Sequence, residues 1–233
     1  MDVTLAIPAY NEETHLRSTV EEARKALEDI HMVDNFEIII SESSSTDGTT
    51  EICRDLEERF SKVHHLELEE LRGKGRAVEE VFKNSNKEYF FFMDADGATS
   101  TEEFKPMLES LKENEIVVGS RKSNEADRDI VRGVASNFFN YSVKLLFLSE
   151  LDDHQCGFKG LRRSKVEDLV EDLEAQHWFW DTELLVKAQN QGKDIDTLQI
   201  IWEEKDDSEV DIISDSFYFS KKLIKLRIKQ WMN

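Results

Sequence analysis

The chain has 233 residues, 39% of them hydrophobic and 34% charged, and a formal net charge of −20. That length suffices for one sizeable core, and the composition is that of a folded rather than a disordered chain. The acidity excludes a general nucleic-acid binder, which needs a basic footprint to displace counterions, and no apolar run approaches the roughly 20 residues of a membrane helix.

In chain order, Val3 to Ile7 is a short apolar run. Asn11 to Ile30 then has helical spacing through Leu16, Val20, Ala23, Leu27 and Ile30. Phe36 to Ile40 is a second buried-type strand, followed by the turn Ser43 to Gly48 and a helix from about Thr49 to Phe60. Val63 to Leu68 reads as a strand, Gly75 to Phe82 as a helix, Glu88 to Met93 as a strand, Thr101 to Leu111 as a helix and Ile116 to Val118 as a strand. Beyond Arg121 the alternation weakens. A long helix is expected from about Ile130 to Leu148, a strand near Phe158 to Arg162 and a helix from Asp181 to Gln189. Alternating strands and helices predict an α/β, Rossmann-like, mainly parallel sheet flanked by helices, with ligands beyond the C-terminal strand ends. The loops Pro8 to Glu13, Ser41 to Gly48 and Asp94 to Ser100 are expected to converge there. Cys53 and Cys156 are expected to be buried free thiols.

Asp94-Ala95-Asp96-Gly97 follows the apolar strand Tyr89 to Met93, which sets two carboxylates at a strand's C-terminal end. Such a pair suits a hard divalent cation, Mg²⁺ or Mn²⁺, that completes its shell with phosphate oxygens. The same four residues also suit a solvated turn. Ile7 to Glu13 ends the first strand, where Asn11 suits a helix cap with Glu12 and Glu13 complementing the dipole, and Tyr10 suits stacking on a base. Arg72-Gly73-Lys74-Gly75-Arg76 precedes a helix and suits either an anion or a solvated basic turn.

Ile7 to Glu13, Ser45 to Thr49, Gly73 to Ala77 and Asp94 to Thr99, in that order and spacing, resemble inverting family-2 glycosyltransferases of the GT-A fold. Gly119-Ser120-Arg121, Gln155 to Lys159, Trp180 to Leu185 and Trp202-Glu203-Glu204 narrow the resemblance to dolichyl-phosphate glucose and mannose synthases, closest to the glucose enzymes, and their archaeal relatives. A single domain is expected over 1–233: a nucleotide-sugar half to about residue 100, an acceptor half over about 101–215, and, from its charges and apolar spacing, a basic C-terminal helix over 216–233. The resemblance implies that Pro8, Tyr10, Glu12, Glu42, Lys74, Asp94, Ala95 and Asp96 bind the nucleotide sugar, with Asp94 and Asp96 as metal ligands. Glu42, Ser43 and Ser44 depart from the paired aspartates and small residue usual before Ser-Thr-Asp-Gly, so the base preference rests on a changed reach; a UDP-sugar is favoured over GDP-mannose. Arg121, Arg132 and Ser136 are expected at the phosphate of dolichyl or polyprenyl phosphate, and Asp96 and Asp181 as catalytic groups.

The implied reaction is direct inverting displacement by the lipid phosphate. A glycan or lipid-linked oligosaccharide hydroxyl is the alternative acceptor, and a noncatalytic nucleotide-sugar-binding protein the alternative of another class. Residues 216–233 carry Lys221, Lys222, Lys225, Arg227 and Lys229, no acidic residue, and interspersed Phe217, Ile224, Ile228 and Trp231. This segment suits either packing on the core or peripheral contact with an anionic membrane. The N-terminus lacks a basic leader, so the expected location is cytoplasmic, at the inner face of the cell membrane.

Overall fold

The computed structural model describes residues 1–69, 73–121, 130–203 and 222–228, with the backbone alone over 130–138. Among the described residues seven strands form one sheet: β1 (Asp2–Ala9), β2 (Asn35–Ser43), β3 (Val63–Leu68), β4 (Tyr89–Phe92), β5 (Ile116–Ser120), β6 (Lys159–Arg162) and β7 (Ile195–Gln199). Their order is β3-β2-β1-β4-β6-β5-β7. β6 runs antiparallel to both neighbours, and the other pairings are parallel.

Side-chain alternation along the strands explains why helices cover both faces. On β4, Phe90 and Phe92 join one apolar cluster and Phe91 the other, as the period of two requires. Phe91 packs with Leu5 and Ile38 beneath α1 (Leu16–Asp29), α2 (Thr49–Arg59) and α4 (Phe104–Ser110). Phe90 and Phe92 lie beneath α3 (Lys74–Asn84), α5 (Ile130–Phe147), α6 (Arg163–Glu171) and α7 (Trp180–Asn190), where Phe92 meets Trp180 edge-on at 5.9 Å. A helix over 222–228 joins this second face through buried Leu223 and Leu226. Cys53 and Cys156 are buried and free, and burial pushes their thiols up to about 12 and about 11.

The sheet and helices follow the expected alternation, with local corrections. α1 begins at Leu16, not Asn11, and has no side-chain cap. Asn11 adopts a left-handed φ of 54° and its Oδ1 instead accepts the Thr46 N–H at 2.8 Å. Glu13 likewise turns away from the helix and accepts the Gly48 N–H at 2.8 Å. These bonds stitch the loop after β1 to the loop after β2. The expected helix over 101–111 opens as a 3-10 turn, Thr101–Glu103, before α4. α6 and β7 were not anticipated; both are short, and Ile195–Gln199 is an edge strand interrupted by polar Asp196 and Thr197.

A buried histidine fastens α5 to the loop before β6. The Asn140 Oδ1 accepts from the His154 backbone N–H at 3.0 Å and from Nδ1–H at 2.9 Å, while Nε2 accepts from the Ser149 hydroxyl at 2.8 Å. Both ring nitrogens are thereby used by a neutral imidazole, and burial holds the pKa down at about 4 against an ordinary 6.5. The unfolded chain therefore binds the extra proton first as pH falls. The stabilisation is fully present above about pH 6.5 and is lost as pH drops through about 4, a change of about 3 kcal/mol. Urea unfolding across that interval should show a loss of stability that His154→Gln largely abolishes; identical slopes would remove the histidine as its source.

Candidate active site

The C-terminal ends of β1, β2, β4 and β5, at the upper edge of the sheet, carry candidate site residues. β4 is apolar until Met93, and the chain then turns polar because Asp94 and Asp96 leave the sheet at its end. The Asp96 side chain accepts the Ala98 N–H at 2.9 Å, and the Thr19 hydroxyl donates to the Ala95 carbonyl at 2.9 Å, which fixes the turn on α1. Burial, and then the neighbouring Asp94 charge, raise the Asp96 carboxyl above its ordinary range. Lys74, on the first turn of α3, makes an ion pair with the Asp94 Oδ1. Burial alone would lower the Lys74 pKa, but the charges of Asp94 and Asp181 outweigh it and hold the ammonium ionised.

Asp94 is walled on its other side. A Cβ added at Gly157 would lie 1.8 Å from Asp94 Oδ2, so only glycine admits this carboxylate against the loop before β6. Two residues on, Lys159 is fully buried beside Phe92, its register partner, and its ammonium bonds the Asp181 Oδ1 at 2.6 Å and the Cys156 carbonyl. Asp181 is itself buried in the first turn of α7.

The sequence-derived candidates divide into three groups. Lys74, Asp94, Asp96 and Asp181 form one charge cluster, and Arg121 feels the Asp94 charge from the end of β5. Two of the Arg121 donors are spent on Asp153, at 2.8 and 3.0 Å, and its guanidinium lies 5.5 Å over Trp202. Although burial opposes both charges, the pair holds Asp153 down at about 2 and raises Arg121. Pro8 and Ala9 pair in register with Ser41 and Glu42 on the neighbouring strand end, with half-buried Tyr10 and Glu12 beyond them. Glu42 is turned inward: its Oε1 accepts the Ser45 N–H and its Oε2 lies 3.8 Å from His65. Arg132 and Ser136 lie on α5, but their side chains are outside the described residues, as are Arg72, Glu204 and the stretches 204–221 and 229–233.

Sequence assigned no role to Asp153, nor to Lys159 beyond its place in the Gln155 to Lys159 motif. The signal for Lys159 was a lysine sharing a strand face with Leu161, against the period-two pattern that puts apolar groups there. As for a metal, no group of three or more His, Cys, Asp or Glu side chains suited to hold one is gathered among the described residues. The two adjoining carboxylates, one raised by burial and by the charge of the other, fit a partial shell that a hard cation completes with substrate oxygens.

The family model described as "Glycosyl transferase family 2" matches residues 4–170, and the chain belongs to that family. It is a glycosyltransferase of the GT-A fold. Glycosyltransferase AglD of Haloferax volcanii is 34% identical over 97% of this chain, which spans 37% of the length of AglD. The dolichyl-phosphate beta-glucosyltransferase of Dictyostelium discoideum is 31% identical over 97% of this chain and 74% of its own length. Glucosyl-3-phosphoglycerate synthase from Mycobacterium tuberculosis, solved in complex with UDP, superposes with a TM-score of 0.73 at 16% identity, covering 97% of this chain and 79% of that one. The same enzyme has been solved with Mn²⁺, UDP and phosphoglyceric acid and superposes with a TM-score of 0.67 at 15% identity, covering 97% and 77%.

The buried pair beneath the site makes its own stability prediction. Lys159→Met leaves the Asp181 charge buried without its cation and should cost about 3–5 kcal/mol in urea unfolding. The double change Lys159→Met, Asp181→Leu should recover most of that loss, since well-packed apolar groups replace a buried pair at little net cost. A double variant no more stable than the single one would show that the pair is not the source.

Proposed function

We propose that the chain is a metal-dependent, inverting hexosyltransferase that moves a sugar from a UDP-sugar, in preference to GDP-mannose, to dolichyl or polyprenyl phosphate. Similarity to dolichyl-phosphate beta-glucosyltransferases over nearly the whole chain supports the acceptor class, and the UDP and Mn²⁺ complexes of the GT-A neighbour support the donor and the cation. The observation that carries the choice of a phosphate over a hydroxyl acceptor is the Lys159–Asp181 pair. A hydroxyl needs a base, and an Asp181 oxygen tied to a buried ammonium serves that role poorly. A phosphate monoester, with a second pKa of about 6, brings its own ionised oxygen.

In this reading an oxygen of the lipid phosphate forms a bond to the anomeric carbon from the face opposite the nucleotide. The bond from that carbon to the nucleotide's β-phosphate oxygen breaks, UDP departs with the electron pair, and no proton moves. Pro8, Tyr10, Glu12 and Glu42 border the nucleotide, while Asp94, Ala95 and Asp96 hold the donor. The Lys74 ammonium offsets charge on the departing pyrophosphate. Mg²⁺ or Mn²⁺, held by Asp94 and Asp96, supplies further positive charge there when bound. Arg121, Arg132 and Ser136 orient the attacking phosphate. Asp181 helps to hold the Lys74 ammonium in place.

The test is to incubate the purified chain with UDP- and GDP-sugars, polyprenyl phosphate and Mn²⁺ or Mg²⁺, and to identify the products by mass. A hexosyl-phosphoryl-lipid from a UDP-sugar is expected, and Asp96→Ala should lower its formation by about a hundredfold or more with unchanged melting. Transfer to a glycan hydroxyl alone, or from GDP-mannose alone, would overturn the acceptor or the donor respectively.

The same reading has the enzyme approach its lipid substrate peripherally, at the cytoplasmic face, where anionic lipids attract basic segments. Among the described residues no helix is long and apolar enough to cross a membrane. Leu223 and Leu226 are buried, while Ile224 and Ile228 are 57% and 54% exposed on the other side of the helix over 222–228. Core packing and membrane contact therefore use opposite faces, so removing the segment would disturb both. Ile224→Ser with Ile228→Ser should lower binding to anionic liposomes several-fold while leaving the melting temperature in place; unchanged liposome binding would remove the helix from this role.

A further inference from the structure

We propose that Lys74 competes with the divalent cation for Asp94, so that the site takes metal well only when a pyrophosphate draws the ammonium away. The inference rests on the reading that this site takes a nucleotide sugar with a cation, and it concerns the order in which the charges assemble.

The two Asp94 oxygens are in different situations. Oδ2 lies against the backbone of Gly157, where a Cβ would intrude to 1.8 Å. Oδ1 is bonded by the Lys74 ammonium. A cation directed to Asp94 therefore meets a carboxylate already bonded by an ammonium, and two positive charges cannot share it closely without repulsion.

Lys74 is also held where it can go only a short way. Its side chain is 7% exposed, with the ammonium 5.4 Å over the Trp178 ring and 5.8 Å over that of Phe92. The turn that carries it is clamped to the segment before α7. Gly73 has a φ of 79°, and a Cβ there would lie 2.0 Å from the His177 Nδ1. The Arg76 N–H donates to the Gln176 carbonyl at 2.9 Å. With its backbone fixed on both sides, the lysine can shift its ammonium from Asp94 only within the reach of its own side chain, on the side where Trp178 is exposed. A pyrophosphate bound beside Asp94 offers that ammonium a stronger anion than one carboxylate. Asp94 is then released to the metal as the donor arrives, so lysine and cation end on different oxygens of the same assembly.

The test measures Mn²⁺ binding by the loss of the free-ion signal in electron paramagnetic resonance, and needs no turnover. For the wild-type chain, Mn²⁺ alone should bind weakly. Lys74→Met should bind Mn²⁺ alone on the order of tenfold more tightly, the size expected for freeing one partly buried carboxylate from an ion pair. Lys74→Gln, a second neutral variant, should do the same, whereas Lys74→Arg, which keeps the competing charge, should stay near wild type. UDP should tighten Mn²⁺ binding strongly in the wild type and much less in the neutral variants. Neutral variants that retain the wild-type circular dichroism but bind Mn²⁺ alone no better, or less well, would overturn the proposal. A tightening shared by Lys74→Arg would overturn it too, since the charge would not be the cause. Failure of the chain to use any UDP-sugar would count against the reaction proposed above, yet the comparison of Mn²⁺ alone would still decide this point.

Discussion

The ion pair between Lys159 and Asp181 is the constraint on which the upper edge of the sheet depends. A lysine on the apolar face of a strand is costly to bury unless a carboxylate and further acceptors meet it, and here Asp181 and the Cys156 carbonyl do so. Satisfying that one ammonium fixes three segments at once: the start of β6, the first turn of α7 and the loop that carries Gly157. Gly157 then bounds Asp94, and the α7 entry bounds Lys74 through Trp178 and His177. Lys74 and Asp94 are thus positioned by a buried pair that lies behind them. Such an arrangement suits a site whose charges must be preorganised rather than gathered at the moment of reaction.

Much of the fold was legible because the sheet is buried on both faces. Near-continuous apolar runs such as Phe36 to Ile40 and Tyr89 to Met93 have few other uses, and the intervening 3.6-residue patterns read as covering helices. β7 and α6 were hidden for the complementary reason: an edge strand with one polar side and a nine-residue helix carry too few periods to stand out. The start of α1 was misplaced because Asn11, Glu12 and Glu13 have the composition of a helix cap. Their polar groups are instead used across space, on the 45–49 loop. Local chemistry announced that these backbone donors and side-chain acceptors would be used, but not by which partners.

The site was legible to the same limited depth. Carboxylates that follow an apolar strand are visible in sequence, and so is a basic glycine-rich turn before a helix. What they pair with is decided by sheet order, and the reversal of β6 between β4 and β5 is what brings Lys159 beside Phe92 and Gly157 beside Asp94. The sequence Gln155 to Lys159 therefore stood out as part of a family resemblance without revealing that its lysine serves an aspartate 22 residues further on. Glu42 shows the converse. Its position at the end of β2 was readable, but its inward turn toward Ser45 and His65 was not.

A chain of net charge −20 is an unpromising host for the polyanionic donor proposed above. Lys74, Arg121 and Lys159 are each buried or nearly so, and each is paired with one aspartate: Asp94, Asp153 and Asp181. In a low-dielectric setting these local charges dominate, whereas the acidic exterior is screened within about 10 Å at moderate salt. Pairing serves a second purpose, since three unpartnered cations in one buried cluster would destabilise the fold and attract any small anion. With these three cations each answered by a carboxylate, a simple anion gains little by entering. A ligand that brings several phosphate oxygens together with a divalent cation can replace both members of the Lys74–Asp94 pair at once, giving the lysine a new anion and the aspartate a new cation. If the site takes a nucleotide sugar, as proposed, the acidity of the chain and the pairing of its buried cations are not obstacles to binding but a means of distinguishing that ligand from simpler anions.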